Sequence, residues 1–258
     1  MTVLKVKTSE RQSPKRAIVT GSASGIGAAT VLALAGLGYD TVGIDIQFAL
    51  AEATASQAAA IAGKHSARLA DVADEEQLCA AIASAADWLG GLDALVTSAG
   101  VAGTTPFMEL TAADFRRMHD VNVIGTFVAI REAAKIMQPG SRICTVASIA
   151  GLRGGGLMGT AAYAASKGAV LALTKNAARA LASRGISVNT IAPGATLTPM
   201  IDAAWQDPVQ RARVESMNLQ NRTASAAEIA ASVGYLLSAQ AAYVNGATLV
   251  VDGGLALY

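Results

Sequence analysis

Short β-branched runs alternate with longer Ala-rich segments along almost the whole chain. The short runs predict seven strands, at 16–20, 41–45, 66–70, 94–97, 142–147, 187–191 and 247–250. The longer segments carry apolar residues at helical spacing and predict helices at about 25–37, 49–62, 74–89, 111–137, 160–183 and 225–238. Strands that alternate with helices are typical of βαβ units. The pattern therefore predicts an α/β fold, a doubly wound seven-stranded parallel sheet with helices on both faces.

Several predicted helices open on a residue type that favours a helix start, namely Asp74, Thr111 and Ser225. The chain of 258 residues fits one large domain at 14–258, preceded by a flexible tail at 1–13. Right-handed crossovers between parallel strands place ligands beyond the carboxyl ends of the strands. We therefore expect the functional residues to follow the strands.

Hydrophobic residues make up 52% of the chain and charged residues only 15%, yet no apolar run reaches the roughly 18 residues of a membrane span. A net charge of +1, with scattered Lys and Arg, predicts a small-molecule partner and neither nucleic acid nor membrane binding. The polar N-terminus lacks the apolar core of a secretory signal, which favours a cytoplasmic protein. Cys79 and Cys144 predict two buried reduced thiols, and His65 and His119 lack a ligand pattern, so we expect no metal.

A glycine-rich loop follows the first predicted strand and leads directly into a helix; it reads Thr20-Gly21-Ser22-Ala23-Ser24-Gly25-Ile26-Gly27. Glycines at this spacing allow a sharp turn and bring backbone N–H groups close to a pyrophosphate at the positive end of the helix dipole. The loop lacks the Gly-Lys-Ser/Thr of a P-loop, which argues against ATP hydrolysis. It predicts dinucleotide binding through Gly21, Ser24, Gly25, Ile26 and Gly27.

Asp45 ends the second predicted strand, and Ile46 follows it. An acidic side chain at this place can accept hydrogen bonds from the adenosine ribose hydroxyls and would repel a 2′-phosphate. Neither the glycine loop nor the residues just after Asp45 include an Arg or Lys to bind that phosphate. The two residues therefore predict NAD as the cofactor, with NADP less favoured.

The segment Tyr163-Ala-Ala-Ser-Lys167 resembles the YxxxK motif of the short-chain dehydrogenase/reductase family, and the resemblance extends over nearly the whole chain. The glycine loop resembles the family's TGxxxGxG motif. The family's remaining landmarks follow in their usual order, as Asp71-Val72, Asn122, Ser148, Pro193-Gly194 and Asp252-Gly253-Gly254. The resemblance implies a single-domain Rossmann fold and an enzyme that transfers hydride between a secondary alcohol, or its ketone, and a nicotinamide cofactor.

The catalytic pair also has a direct physical interpretation. Residues four apart share one helix face, so the Lys167 ammonium can lie near the Tyr163 hydroxyl. A nearby cation favours the phenolate, and we expect it to lower the tyrosine pKa from about 10 towards the range of a general acid/base. By resemblance, Lys167 also binds the nicotinamide ribose, Ser148 holds the substrate oxygen, and Asn122 supports a water in a proton relay.

The resemblance also implies further cofactor contacts. They are Asp71 and Val72 at the adenine ring, Ser98, Ala99 and Gly100 after strand four, and Pro193, Gly194, Thr196 and Thr198 around the nicotinamide. Thr97-Ser98 stands where the family usually has Asn-Asn, and we expect the hydroxyls to replace some of the amide hydrogen bonds. Ser148 and Tyr163 are also two positions further apart than is usual in the family, which predicts a longer loop at 151–159.

The sequence does not identify the substrate. A mobile loop at about 199–222, with Leu152, Leu157, Met158, Met200 and Trp205, is a candidate apolar pocket. The nearest rival is a 3-oxoacyl-acyl-carrier-protein reductase; Asp45 and the lack of a basic cluster at Gln138-Pro-Gly-Ser141 argue against it. A non-catalytic ligand sensor would be expected to have lost part of the catalytic set. An extended epimerase or dehydratase would carry a larger C-terminal region.

By resemblance the assembly is a homotetramer. The helices at about 111–137 and 160–183 would pack on their counterparts, and the C-terminal strand region would form another contact. The Ala-rich faces of these helices permit close approach between subunits, but they are equally consistent with packing inside one subunit.

Overall fold

Seven parallel strands form one sheet in the computed structural model, which describes residues 15–155, 160–202 and 206–257. They are β1 (Lys15–Thr20), β2 (Tyr39–Asp45), β3 (His65–Leu69), β4 (Ala94–Thr97), β5 (Arg142–Val146), β6 (Ser187–Pro193) and β9 (Thr248–Val251). Their order across the sheet is β3-β2-β1-β4-β5-β6-β9. The short strands β7 (Thr196–Leu197) and β8 (Ala224–Ser225) pair separately. The predicted doubly wound fold is confirmed.

Helices connect the strands on both faces of the sheet. They are α1 (Gly25–Gly36), α2 (Phe48–Ala59), α3 (Glu75–Leu89), α4 (Ala112–His119), α5 (Gly125–Ile136), α6 (Ile149–Arg153), α7 (Ala161–Leu181), α8 (Pro208–Glu215) and α9 (Ala226–Leu237). A π-helical turn, Asp120–Ile124, joins α4 to α5. The helix predicted at 111–137 is therefore nearly continuous, with one widened turn in its middle.

Two hydrophobic layers cover the sheet. Ile18 and Ile143 belong to the layer formed with α3, α5 and α7, whereas their neighbours Val19 and Cys144 belong to the layer formed with α1 and α9. Each of these four side chains is buried. A strand buried on both faces appears in the sequence as a continuous apolar run, which is why the strands were recognisable without alternation.

Three predicted helix caps are present. The Asp74 side chain accepts a hydrogen bond from the Gln77 N–H at the start of α3. Thr111 and Ser225 form capping boxes at α4 and α9, each with an acidic residue three positions later. A capping side chain is typically worth about 1 kcal/mol to a helix. These residues therefore fix where α3, α4 and α9 begin.

Two segments differ from expectation. The glycine-rich stretch at 151–159 was expected to be a loop, but its first residues belong to α6. The loop expected at 199–222 contains α8 and is held at its base by the β7–β8 pair. Of the candidate pocket residues, Leu152 and Met200 are about half exposed. Leu157, Met158 and Trp205 lie outside the described residues.

Candidate active site

The glycine loop after β1 brings backbone segments into contact where side chains would not fit. Gly21 has a positive φ of 73°, and a Cβ on it would lie 2.5 Å from the Ala99 nitrogen. A Cβ on Gly27 would overlap the carbonyl of Gly21. Gly25 also has a positive φ, and a Cβ there would lie 3.1 Å from the Thr198 methyl group. The loop is thus a backbone-lined cradle at the start of α1, which fits a pyrophosphate.

The other loop residues complete the start of α1. Ser24 is the N-cap residue in extended conformation, and its side chain makes no capping hydrogen bond. Ile26 packs against the hydrophobic layer under α1. Within residues 24–27, Ser24 thus places a hydroxyl without a capping hydrogen bond at the helix start. Ile26 holds the turn against the sheet by apolar packing.

Asp45 lies against this cradle. Its Oδ2 accepts a hydrogen bond from the Ala23 N–H and its Oδ1 accepts one from the Gln47 N–H, both at 2.9 Å. Ile46, the next residue, is 61% exposed and extends no charge towards the site. The carboxylate thus joins the end of β2 to the glycine loop, and it is the acidic group at this edge of the cradle.

The turn after β4 also packs on the first strand. The Ser98 N–H donates to the Thr20 carbonyl at 3.1 Å, and the Ala99 N–H donates to the Thr20 hydroxyl at 3.3 Å. The Thr97 hydroxyl is buried without a hydrogen-bond partner. The expectation that hydroxyls replace amide hydrogen bonds here is not met by Thr97, whose buried hydroxyl finds no partner among the described residues.

The remaining predicted cofactor contacts follow β3 and β6 at the same edge of the sheet. The Asp71 carboxylate accepts from the Ala73 N–H at 2.9 Å, and Val72 is buried against Gly125. The Gly194 N–H donates to the Val251 carbonyl, and the Thr196 hydroxyl donates to the Gly194 carbonyl, both at 3.0 Å. Pro193 is the last residue of β6. Together with Thr198, which touches Gly25, these residues lie on both sides of the cradle.

Ser148 and Tyr163 meet after β5. Ser148 is the N-cap of α6, where its Oγ accepts a hydrogen bond from the Ala150 N–H at 3.1 Å. The Tyr163 hydroxyl, in the first turn of α7, lies near this side chain. Burial raises the pKa of the Tyr163 phenol, and the nearby Ser148 hydroxyl offsets this only in part. The expected lowering of this pKa by Lys167 is therefore not found here.

Lys167 lies one turn further along α7. Its Nζ is 5.9 Å from the centre of the Tyr163 ring and donates to the Val146 carbonyl at 2.8 Å. Only 5% of the residue is exposed, and burial lowers the pKa of its ammonium to about 8. A Cβ on Gly100 would lie 3.4 Å from this Nζ. The missing side chain at Gly100 thus leaves space beside the ammonium, towards the glycine loop.

Asn122 lies in the π-helical turn and is fully buried. Its Oδ1 accepts from the Val101 N–H at 2.8 Å and its Nδ2 donates to the Val101 carbonyl at 2.9 Å. The same Nδ2 donates to the Ser166 hydroxyl at 2.9 Å. The Asn122 side chain therefore holds the segment that follows Gly100, and it joins that segment to α7.

Comparisons with known proteins agree with this arrangement. A family model described as Enoyl-(Acyl carrier protein) reductase matches residues 21–256. Levodione reductase of Leifsonia aquatica is 35% identical, over 92% of each chain. D-threitol dehydrogenase of Mycolicibacterium smegmatis is 39% identical, over 95% of this chain and 94% of that one. The chain belongs to the short-chain dehydrogenase/reductase family.

The solved structures of other short-chain dehydrogenases agree. One from Burkholderia cenocepacia J2315, in complex with NADP, has a TM-score of 0.88 at 34% identity and covers 95% of this chain and 99% of its own. Members of the family are oxidoreductases that use nicotinamide cofactors, and this short-chain dehydrogenase/reductase is therefore one as well. The family assignment rests on more than nine-tenths of the chain.

Ser166 is a residue of this short-chain dehydrogenase/reductase that the motif did not single out. It is fully buried, accepts from Asn122 Nδ2 and donates to the Tyr163 carbonyl at 2.8 Å. A continuous chain of hydrogen bonds thus runs from Val101 through Asn122 and Ser166 to the backbone of Tyr163. Its position between Tyr163 and Lys167 in the motif is the one signal in the sequence that could have drawn attention to it.

Removal of the Ser166 hydroxyl should affect turnover more than a matched removal elsewhere in α7. Ser166→Ala leaves Asn122 Nδ2 with an unpaired buried N–H and loosens Tyr163 relative to Gly100, so we expect kcat to fall about tenfold or more. Thr174→Val is the control, because Thr174 is equally buried in α7 and its hydroxyl bonds Thr145 on β5. Steady-state kinetics and melting temperatures of both variants decide the matter. Equal losses of kcat would contradict a positioning effect of Ser166.

Other sequence expectations have mixed outcomes. Cys144 is buried, and burial raises the pKa of its thiol to about 12, but Cys79 is partly exposed and not buried as expected. His65 and His119 each bond a backbone carbonyl. In the described parts of the chain, no cluster of three or more His, Cys, Asp or Glu side chains could hold a metal ion. Nor is any helix within those parts long and apolar enough to cross a membrane.

Proposed function

We propose that this protein transfers hydride between a secondary alcohol, or its ketone, and NAD(H), with Tyr163 as the general acid/base. The observation that carries the proposal is the grouping of Ser148, Tyr163 and Lys167 at the edge of the sheet that also holds the glycine cradle. The cofactor, when bound, supplies the hydride acceptor or donor. The protein supplies the groups that hold the substrate oxygen and move its proton.

The proton chemistry follows from the environment of each group. A phenol with a raised pKa is protonated at neutral pH, so Tyr163 can donate its proton to a carbonyl oxygen during ketone reduction. Lys167, with a pKa of about 8, keeps most of its positive charge at neutral pH and would stabilise the phenolate that forms during alcohol oxidation, although in this structure burial keeps the Tyr163 pKa raised. Ser148 would donate a hydrogen bond to the substrate oxygen that exchanges a proton with Tyr163. A water relay to solvent at Asn122 stays a prediction.

The preference for NAD over NADP rests on Asp45 and Ile46. The carboxylate lies beside the cradle and would repel a 2′-phosphate, while Ile46 offers no positive charge to bind one. The proposed cofactor contacts are those of the sequence prediction, and Gly21 and Gly27 support them because the close backbone packing at these two glycines shapes the turn at the start of α1. The NADP found in a related structure belongs to that protein.

Two other functions remain as rivals. A 3-oxoacyl-acyl-carrier-protein reductase would need a basic docking surface for its acidic carrier and would favour NADPH. A non-catalytic ligand sensor would bind the nucleotide without turnover. The placement of Tyr163 near Ser148 and Lys167 argues against the sensor, because binding alone requires no acid/base group.

A screen of cofactor reduction tests the proposal. The protein would be given NAD⁺ or NADP⁺ with secondary alcohols, polyols, sugars, hydroxysteroids and hydroxyacyl esters, and absorbance at the nicotinamide band would be followed. We expect NADH formation with at least one alcohol and a higher kcat/KM with NAD⁺ than with NADP⁺. Turnover restricted to hydroxyacyl thioesters and NADP⁺ would favour the carrier-protein reductase, and binding without any turnover would favour the sensor.

We also propose a cytoplasmic homotetramer. Phe127, on α5, and Ile124, in the π-helical turn, are both exposed apolar residues. They lie within the helical segment at about 111–137, which is expected to pack on the same segment of another subunit. Val250 on the edge strand β9 and Tyr243 nearby are exposed at the other expected contact. Burial of such residues in an interface would remove apolar surface from water. Light scattering at micromolar concentration should give four times the chain mass; a monomer would reject the tetramer.

A further inference from the structure

The Asp252-Gly253-Gly254 landmark has a structural purpose apart from the cofactor. Gly253 and Gly254 both have positive φ angles, 65° and 88°. A Cβ on Gly253 would lie 3.1 Å from Asn218 Oδ1, and one on Gly254 would lie 2.7 Å from Leu219 Cδ1. The two glycines thus let the C-terminal segment pack closely on the turn that follows α8.

Both sides of this contact are held by hydrogen bonds. Asp252 accepts from the N–H groups of Gly254 and Ala256, at 2.8 and 2.6 Å, so its carboxylate is engaged inside its own turn. Asn218 is buried; its Nδ2 donates to the Arg222 carbonyl, and its Oδ1 accepts from the Gln220 N–H. Hydrogen bonds within the chain therefore hold both sides of this contact in place.

A cavity of about 450 Å³ opens at this contact. Its lining includes Arg153, Ser216, Asn218, Leu219, Asn221 and Leu255, and we call it the Arg153 pocket. The volume lies within the range of about 300–1,000 Å³ that is usual for small-molecule sites. Guanidinium, amide and hydroxyl groups share the lining with two leucines. The pocket therefore suits an organic group that carries both an anion and a hydrocarbon body.

The positive charge in the pocket comes from Arg153. Arg153 is an exposed residue, and its Nη1 donates to the Leu255 carbonyl at 3.1 Å, which holds the guanidinium beside the pocket. None of the ion pairs formed among residues 15–155, 160–202 and 206–257 includes Arg153. A guanidinium has five N–H donors and binds a carboxylate through two parallel hydrogen bonds. The chemistry of the pocket is that of a carboxylate receptor.

Helix α6 leads from Ser148 to the pocket, and neither Ser148 nor Tyr163 is among the residues that line it. Ser148 caps the first turn of this helix, and Arg153 is its last residue. Five residues of helix span about 7.5 Å at 1.5 Å per residue. A substrate whose carboxylate binds Arg153 would therefore need several bonds between that carboxylate and a carbinol carbon held at Ser148.

We propose that Arg153 binds the carboxylate of the substrate, so that the preferred substrates are hydroxy acids, or the corresponding oxo acids, with several bonds between carbinol carbon and carboxylate. This inference rests on the proposed function and names the substrate class for it. Arg153 selects the substrate and takes no part in the transfer of hydride.

A matched pair of alcohols tests the proposal. 6-Hydroxyheptanoate and 2-heptanol share the carbinol end and differ in the terminal group, carboxylate against methyl. We expect wild-type kcat/KM to favour the acid by about 10- to 100-fold, as befits a charge-assisted hydrogen bond. Arg153→Leu should abolish this preference, mainly through KM, and Arg153→Lys should restore part of it. Arg213→Leu, which removes an exposed arginine of α8, is the control and should keep the full preference.

A second readout separates this proposal from the proposed function. The melting temperature with and without 6-oxoheptanoate reports binding without turnover, and the stabilisation should disappear in Arg153→Leu but not in Arg213→Leu. Arg153-dependent stabilisation without turnover would support the pocket and reject the dehydrogenase. Equal turnover of both alcohols by the wild type would overturn the pocket and leave the dehydrogenase standing. A preference for the acid that Arg153→Leu retains would also overturn it.

Discussion

Tyr163→Phe should lower kcat by at least about 100-fold, in the range that a positioned general acid/base contributes. The substitution removes the hydroxyl that Ser148 contacts and keeps the ring that fills the space beside Lys167. NADH binding, followed by fluorescence, should change little, because the glycine cradle is untouched. Because burial raises the Tyr163 pKa above its usual value of about 10, the rate of alcohol oxidation by the wild type should still be rising with pH at pH 10, and this rise should be absent from any residual activity of the variant.

Tyr235→Phe is the matched control. Tyr235 is half-exposed on α9, on the other side of the sheet from α7. We expect this variant to keep wild-type turnover. Retention of full activity by Tyr163→Phe would contradict the assigned chemistry, whereas loss of NADH binding together with activity would point to a structural defect.

Replacement of Asp45 by Ala together with Ile46 by Arg should shift the ratio of kcat/KM for NADP⁺ over NAD⁺ by at least about 100-fold. The change removes the carboxylate that would repel a 2′-phosphate and adds a guanidinium that can bind it, and each of the two contributes about 1.5–3 kcal/mol. The double variant also loses the hydrogen bonds from Ala23 and Gln47, so part of the total activity should be lost. Steady-state kinetics with both cofactors give the ratio directly.

The single variants separate the two effects. Ile46→Arg keeps the hydrogen bonds of Asp45 and should raise NADP⁺ use without loss of NAD⁺ activity, while Asp45→Asn removes the charge and retains one side-chain oxygen as an acceptor. An unchanged cofactor ratio in all three variants would mean that Asp45 only supports the glycine loop. Asp45 would then be a structural residue.

The periodicity of the chain predicts most of the fold, because each β-strand and long helix has a strong local signal. β1, β4 and β6 contain short β-branched runs, and α3, α4 and α9 begin at capping residues that act within one helical turn. The parallel order follows from crossover handedness. These are local properties, or rules that apply to any chain.

The two missed helices show where local signals mislead. Gly151 suggested a loop, but a Cβ there would lie 2.5 Å from the Gly168 nitrogen, so this glycine serves the close packing of α6 on α7. In α8 the signals were present, since Asp207 caps the helix and Pro208 occupies its first turn. The polar composition around them suggested a loop instead.

In the candidate site, the sequence predicts which residues come together, but it does not predict their pKa values or their hydrogen bonds. The four-residue spacing of Tyr163 and Lys167 places both on one face of α7. It does not reveal that burial raises the pKa of Tyr163 and lowers that of Lys167 to about 8. Nor does it reveal that the Asn122 side chain forms its hydrogen bonds with Val101 and Ser166. Burial and hydrogen bonding depend on distant segments, so they emerge only from the folded chain.

Isotope transfer tests the central claim most directly. The protein would be incubated with NADH carrying deuterium at both C4 positions of the nicotinamide and with the ketone of the best alcohol from the screen, and the product analysed by mass spectrometry. A hydride-transferring dehydrogenase predicts an alcohol with one deuterium at the carbinol carbon, formed by the wild type and greatly reduced in Tyr163→Phe. An alcohol without deuterium at that carbon, or equal labelling by the two proteins, would contradict the account.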